Sequence, residues 1–424
     1  MTFYTQNIDA CLGAKIGENG LATEVFEGFI VQAETTLATL RRARADRTLP
    51  HLTLADETAD IDALQVHANR FRYHCSDVLV LGTGGSSLGG ATLCQLTQDP
   101  SAPRLHFLAN VDPVTFEQMF ARLDPSRTGI IAISKSGGTA ETLAQLLAVL
   151  KWRGNTASPV ITMSEPGPRV LRHIADHFDF PCLDHAPNLG GRFSVLSTGM
   201  LPGLIAGIDV RALRDGARQA RDQALDASAQ ESAPALGAAV NCAFMASHSI
   251  HQAVLMPYLD QLDHFGKWYR QLWAESLGKN GHGSTPIDAL GTVDQHSQLQ
   301  LYLDGPKDKI FTIVIGQQRR QGPRLDTTGL PTAVQRDLHY LAGHTMGDLM
   351  AAEQQATIDS LVAGKRPVRV IEIDSLSPAC LGALFMHFTL ETIIAADMLG
   401  IDAFDQPAVE DAKIRARSYL MDMD

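Results

Sequence analysis

The sequence predicts an α/β protein made of mainly parallel sheets covered by helices on both faces. Short β-rich runs alternate with longer helical patterns, the alternation occupies two separate stretches, and two of the strand-like runs end in glycine-rich turns. At 424 residues the chain exceeds one ordinary core, since domains average about 150 residues, and two or three domains are expected.

In order along the chain, apolar positions recur at helical spacing from about residue 20 to 45. They finish in Leu40-Arg-Arg-Ala-Arg44, whose basic residues suit the negative end of a helix dipole, and residues 1–45 read as an N-terminal helical arm. A first α/β domain is expected over 46–210, with strands at Asp77–Gly82, Arg104–Leu108, Gly129–Ser134 and Pro159–Met163. Between about 205 and 275 the pattern is helical and alanine-rich, with one helix opening at Ala233 and another led in by Asp260. A second α/β domain, 211–400, is expected to hold strands Leu299–Leu303, Lys309–Ile315 and Val368–Ile373 and helices near 334–363 and 377–399. Residues 401–424 are expected to form a C-terminal helical segment, and Gly316 to Thr332 reads as a mobile surface loop. Two open-sheet lobes place a ligand in the crevice at the C-terminal ends of their strands.

Composition narrows the function. The 47 acidic residues outnumber the 35 basic ones, giving a formal charge of −12, which opposes broad attraction to nucleic acid. An anionic ligand must be held by locally concentrated donors. Six scattered cysteines form no C-x-x-C pair, so neither a disulfide framework nor a cysteine zinc site is indicated, and a reducing cytoplasm fits. The first residues lack the basic start and apolar run of a signal peptide, and no uninterrupted apolar run approaches membrane-spanning length. The expectation is a protein without membrane or nucleic-acid partners.

The strongest motif is Ser134-Lys135-Ser136-Gly137-Gly138-Thr139, set between an apolar strand and a helical pattern. Three hydroxyls, two glycines that leave backbone N–H groups approachable, and the positive end of a helix dipole are what a phosphate dianion needs. The alternative is a glycine turn with Thr139 as N-cap, but a cap needs one hydroxyl and this loop has three. Upstream, Gly82-Thr-Gly84-Gly85-Ser86-Ser87-Leu-Gly89-Gly90 imitates a dinucleotide fingerprint, yet the third glycine would fall at Ser87. Asp112, after the next strand, is weak support for a ribose site. A second anion-facing turn with Gly85 and Ser86 is the functional reading, and a structural glycine turn is the other.

Further candidates are weaker one by one. Gly190-Gly191-Arg192 presents a guanidinium behind two glycines, to an oxyanion or to solvent. Gln271 and Glu275 share one helical face, which makes Glu275 a candidate base or one more solvated carboxylate. Gln295-His296 holds one of fifteen histidines, and Lys413 is either a site lysine or an i,i+3 partner of Glu410.

Taken in order, the glycine turn at 82–90, Ser134–Thr139, Gly190-Gly191-Arg192, Glu275-Ser276-Leu-Gly278-Lys279, Gln295-His296 and Phe404-Asp405-Gln406-Pro407 resemble the phosphoglucose isomerase family, built from two sugar-isomerase (SIS) domains. The resemblance implies that Gly85, Ser86, Ser134, Lys135, Ser136 and Thr139 hold a sugar phosphate, with Gln271 and Gln406 lining the pocket. It implies that Glu275 moves a proton between C1 and C2, that Arg192 stabilises an enediolate, and that His296 and Lys413 assist ring opening. It also implies glucose 6-phosphate and fructose 6-phosphate as substrates, a homodimer in which the histidine comes from the other subunit, and no metal or redox cofactor.

The inventory suits that chemistry. A proton α to a carbonyl is weakly acidic, so a carboxylate must act together with a cation at the developing oxyanion. The phosphate does not react, and its binding energy can hold C1 and C2 against the base. The chain departs from larger family members in its short N-terminal region, in Gly137-Gly138 where they carry bulkier residues, and in Ala408 where glycine is usual. The rival readings are a dual glucose and mannose phosphate isomerase and a non-catalytic phosphosugar sensor.

Overall fold

In the computed structural model, residues 3–423 are described; residues 1, 2 and 424, at the outer ends of the expected arm and tail, lie outside that range. The strands are β1 (Tyr4–Asn7), β2 (Asp77–Leu81), β3 (Arg104–Leu108), β4 (Thr128–Ile133), β5 (Val160–Ser164), β6 (Cys182–Asp184), β7 (Gln252–Pro257), β8 (Thr285–Asp288), β9 (Lys309–Gly316) and β10 (Val368–Ile373). They form two sheets. The first has the order β3-β2-β4-β5-β6 and is parallel throughout. The second, β1-β10-β9-β7-β8, is parallel except at its edge, where β1 runs antiparallel to β10 with Tyr4 opposite Ile373.

The parallel interior explains the sequence pattern. Every residue of β2 and of β4 is buried, as expected for strands covered on both faces, and such strands read as continuous apolar runs. The expected arm helix is present as Thr23–Ala45 and buries Ile30, Ala33, Thr36, Leu37 and Leu40, an i, i+3, i+4 stripe. Each of its buried leucines and isoleucines contributes about 1.5–3 kcal/mol of burial. This stripe packs on the helices Ala233–His248 and Pro378–Met398. Pro378–Met398 is long and apolar enough to cross a membrane, and its apolar face is instead enclosed by the rest of the protein.

The second half differs from its expected elements in three places. Leu299–Leu303 is not a strand but a helix, Leu299–Asp304: Tyr302 is buried while Leu301 is exposed, the reverse of the alternation that three leucines suggested. The stretch from 205 to 275 is not wholly helical, because Ala253–Met256 forms the buried centre of β7. A short fully buried strand and a buried helix segment look alike by periodicity. The helix expected over 334–363 is split into Thr332–Asp337 and Met346–Ala363. The longer piece starts at a capping box, in which Asp348 N–H donates to Thr345 Oγ1 and Thr345 N–H donates to the Asp348 carboxylate. Residues 317–331 carry neither helix nor strand and are mostly exposed.

One buried ionic group ties the N-terminal strand to the central helix. Arg369, His387 and Glu391 are each fully buried. Arg369 donates to Glu391 at 2.7 Å, His387 Nε2 lies 3.0 Å from the same carboxylate oxygen, and Tyr4 Oη lies 2.8 Å from His387 Nδ1. Asn241 donates to the second carboxylate oxygen at 3.2 Å. Removing Arg369 or Glu391 leaves the charge of the other buried and uncompensated, at a cost of about 3–5 kcal/mol.

Candidate active site

The site is assembled where the C-terminal ends of the first sheet meet the helix Asp263–Leu277. Pairing of Leu81 with Ala132 sets β2 and β4 side by side, so the glycine turn and the Ser134–Thr139 loop leave the sheet as neighbours. Ser134 is buried and its hydroxyl lies 2.8 Å from that of Thr139. The Ser136 hydroxyl accepts from Gly138 N–H at 3.3 Å, and Lys135 Nζ lies 3.6 Å from Glu165. Thr139 occupies the N-cap position of the helix Ala140–Arg153, yet its side chain makes no capping bond. The hydroxyl is turned to the loop, so simple capping does not explain it, and the positive end of the helix dipole stands where an anion could be held.

The glycine turn sits against both other parts of the site. Gly84 has φ +57°, and an added Cβ would lie 2.6 Å from Gln271 Nε2. At Gly85 an added Cβ would lie 2.0 Å from the Gly191 carbonyl group, so the two backbones touch and no side chain fits. Ser86 is half-buried on the same turn. Asp112, the imitation of a ribose acid, is spent as an N-cap, accepting from Thr115 N–H at 2.8 Å.

Arg192 is the centre. It is 2 % exposed, and every nitrogen of its guanidinium donates. Nε reaches Ser276 Oγ at 2.8 Å; Nη1 reaches Gln406 Oε1 at 2.7 Å and Glu275 Oε2 at 3.2 Å; Nη2 reaches the carbonyls of Ala403 at 2.6 Å and Asp405 at 2.9 Å. Burial lowers its pKa from the ordinary arginine value, and the Glu275 carboxylate opposes that shift. Gln271 Nε2 donates to the other Glu275 oxygen at 3.1 Å, so the carboxylate is held from two sides while about a third of it stays open. This geometry excludes the surface alternative for Arg192, and it leaves Glu275 paired with Arg192 and Gln271 though partly open to solvent.

The remaining candidates lie apart. His296 is exposed after the short turn Val293–Gln295, and among the described residues no hydrogen bond links its ring to the Arg192 group. Lys413 lies on the helix Glu410–Met421, every residue of which is exposed, and its Nζ donates to Glu410 at 2.6 Å, the i,i+3 pair that spacing allowed.

Four contributors carried no assignment from sequence. Ser276 receives the Arg192 Nε bond, Trp268 donates to the Arg192 carbonyl at 3.1 Å, and Lys279 pairs with Asp405 at 2.7 Å and with the Asp402 carbonyl. These flank residues already singled out, and adjacency was the available signal. The fourth, His51, gives none: it stacks on Phe404 at 4.4 Å between ring centroids, far from it in sequence.

Among the described residues there is no group of three or more histidine, cysteine or acidic side chains placed to hold a metal ion. The charge on display is the guanidinium beside a half-open carboxylate, an arrangement that can move a proton next to a developing oxyanion.

Comparison with known proteins agrees with this chemistry. The chain is 39 % identical over 388 residues to a glucose-6-phosphate isomerase of Rubrobacter xylanophilus, covering 87 % of this chain and 86 % of that protein. It is 35 % identical to a glucose-6-phosphate isomerase of Thermus thermophilus, covering 81 % and 83 %. The fold matches the crystal structure of a hypothetical protein from Thermus thermophilus with a TM-score of 0.86 at 29 % identity, over 98 % of this chain and 99 % of that one. A glucose-6-phosphate isomerase from Chlamydia trachomatis shares the fold at a TM-score of 0.71 and 21 % identity, over 85 % and 72 % of the two chains. The family description "Phosphoglucose isomerase" matches residues 65–424, and the chain belongs to that family.

Proposed function

We infer that this chain catalyses the reversible isomerisation of glucose 6-phosphate and fructose 6-phosphate, an aldose–ketose interconversion through a cis-enediolate. The observation that carries the reading is the buried Arg192 guanidinium beside Glu275, with the Ser134–Thr139 cradle opening from the adjacent strand.

In this reading Ser86, Ser134, Lys135, Ser136 and Thr139 bind the phosphate, with Gly85 letting the backbone approach, and Gln271 and Gln406 line the sugar pocket. Glu275 removes the C2 proton of the open-chain aldose and returns it to C1. Negative charge appears on the oxygen of C1, Arg192 neutralises it, and the proton of the C2 hydroxyl passes to that oxygen as the carbonyl forms at C2. Five acceptors fix Arg192 in place, so its positive charge already stands at the site when the oxyanion forms. Ring opening requires a proton to pass between the ring oxygen and the anomeric hydroxyl, the task of His296 with Lys413. Both are exposed within one chain, which supports a homodimer in which His296 reaches the site of the other subunit. No redox step occurs, and a cytoplasmic location suits a free phosphorylated substrate.

The test is exchange of the C2 hydrogen with deuterated water. Glu275→Gln is expected to abolish measurable exchange while a phosphorylated sugar acid still binds; wild-type exchange in that variant would remove Glu275 from the role of base.

A further inference from the structure

An aromatic clamp surrounds the Arg192 group. Phe193 follows Arg192 directly, and Phe404 lies between the two residues whose carbonyls accept from Arg192 Nη2. The ring centroids of Phe193 and Phe404 are 5.4 Å apart, and the Arg192 guanidinium lies 5.4 Å from the Phe193 centroid. His51 closes the cluster. It stacks on Phe404 at 4.4 Å with 25° between planes and meets Phe193 edge-on at 4.8 Å. It is 5 % exposed, and neither ring nitrogen has a partner.

The segment bearing His51 is itself anchored. Arg221, 4 % exposed, donates to the Leu52 carbonyl at 2.6 Å and to both Asp56 oxygens at 2.8 and 2.9 Å. A fixed backbone thus presses a flat ring on Phe404. Two unpartnered buried nitrogens are costly for stability alone, and an apolar side chain would fill the space at lower cost. We propose that His51 is a positioning residue for the isomerisation: clamped between Phe193 and Phe404, it holds the 403–406 segment on the Arg192 guanidinium, and so sets where that cation stands beside Glu275. The proposal rests on the role assigned to Arg192. Burial, with the Arg192 and Lys135 cations behind it, pushes the imidazole down to about 3, so the ring stacks as a neutral group beside a cation.

The test compares kcat and KM of His51→Ala, His51→Phe and Arg192→Ala with the double variant His51→Ala/Arg192→Ala, each corrected for folded fraction by circular dichroism. His51→Ala is expected to lower kcat roughly thirtyfold with KM within about threefold, because the loss falls on transition-state stabilisation. His51→Phe, which keeps the stack, restores kcat to within about threefold of wild type. In the Arg192→Ala background, removal of His51 costs less than about threefold, since a residue acting through another shows little effect once that partner is gone. A wild-type kcat in His51→Ala, a full thirtyfold loss that persists without Arg192, or a His51→Phe protein that is folded and as slow as the alanine variant overturns the proposal. A wild-type kcat in Arg192→Ala overturns the Arg192 assignment as well, whereas a slow Arg192→Ala with a normal His51→Ala removes His51 alone.

Discussion

Arg192 and Lys413 are both cations to which the family resemblance gives a role, and the fold treats them oppositely. Arg192 is buried with every nitrogen committed to an acceptor, whereas Lys413 stands on an exposed helix with its charge spent on a neighbour three residues back. Glu275 and His296 repeat the contrast, the first held by Arg192 and Gln271, the second free on the surface. Proton transfer at carbon needs fixed charges, because reorganisation during the step raises the barrier. One folded chain supplies these. In the proposed homodimer the groups for ring opening need only arrive on assembly, so they can be carried on elements that the single chain leaves open.

After the loss expected for Glu275→Gln, the largest effect should come from Arg192→Ala. Removing a preorganised oxyanion donor costs about 10²–10³-fold in kcat, and KM should move far less. Steady-state assays in both directions read this directly, and a variant that lost affinity but kept kcat would make Arg192 a binding residue only.

The exposed half is broken open by complementation. Glu275→Gln and His296→Ala homodimers should each be nearly inactive. If His296 serves the partner's site, a mixed dimer has one site carrying both substitutions and one carrying neither. Random exchange of equal amounts then restores about a quarter of wild-type activity. Mixing without recovery, under conditions where native mass spectrometry shows mixed dimers, would place His296 in its own subunit's site or in none.

A smaller effect is expected at the cradle. A hydrogen bond to a charged group is worth about 1.5–3 kcal/mol, so Ser134→Ala should raise KM about ten- to a hundredfold. Its effect on kcat should be smaller, because the phosphate is a handle away from the reacting carbons. A kcat loss as large as that of Arg192→Ala would erase the distinction between handle and reaction centre.

How much of this could be read without coordinates depended on whether the signal was local. The Ser134–Thr139 loop announces itself, since strand, glycines, hydroxyls and helix follow one another within a few residues. Arg192, Glu275 and Gln406 were legible through motif order, but their mutual contact was not, because it joins positions 83 and 214 residues apart. The same limit hid β7, whose apolar run fits helix and strand alike, and β1, which pairs with β10 more than 300 residues further along the chain. Leu299–Asp304 misled because three alternating leucines imitate a strand, while burial of Tyr302 decided for a helix. His51 had no signal at all: aromatic stacking over more than 300 residues of chain leaves no local spacing to find.

Acid should separate the two halves by their histidines. His51, His185 and His387 are buried, and burial is the first cause that lowers each pKa, with His51 brought down to about 3. Around His387 the Glu391 carboxylate favours the proton, while Arg369 opposes it, and the shift is still downward. In the unfolded chain each histidine takes up a proton near pH 6.5, but in the folded protein it does so only at lower pH. The unfolded state therefore binds more protons as pH falls below about 6.5, and each such histidine removes up to about 1.4 kcal/mol of stability per pH unit until its folded pKa is reached. Glu391, held below its ordinary range by Arg369 and His387 against the opposing effect of burial, adds to the loss below about pH 4.3. Urea midpoints measured at pH 7.5, 6.5, 5.5 and 4.5 should be level across the first interval and fall steadily after it. His51→Phe should shallow the slope between pH 6 and 5, since it removes one of the histidines whose proton uptake is linked to unfolding. A slope equal to that of the wild type would mean that His51 takes up its proton in the fold as readily as in the unfolded chain.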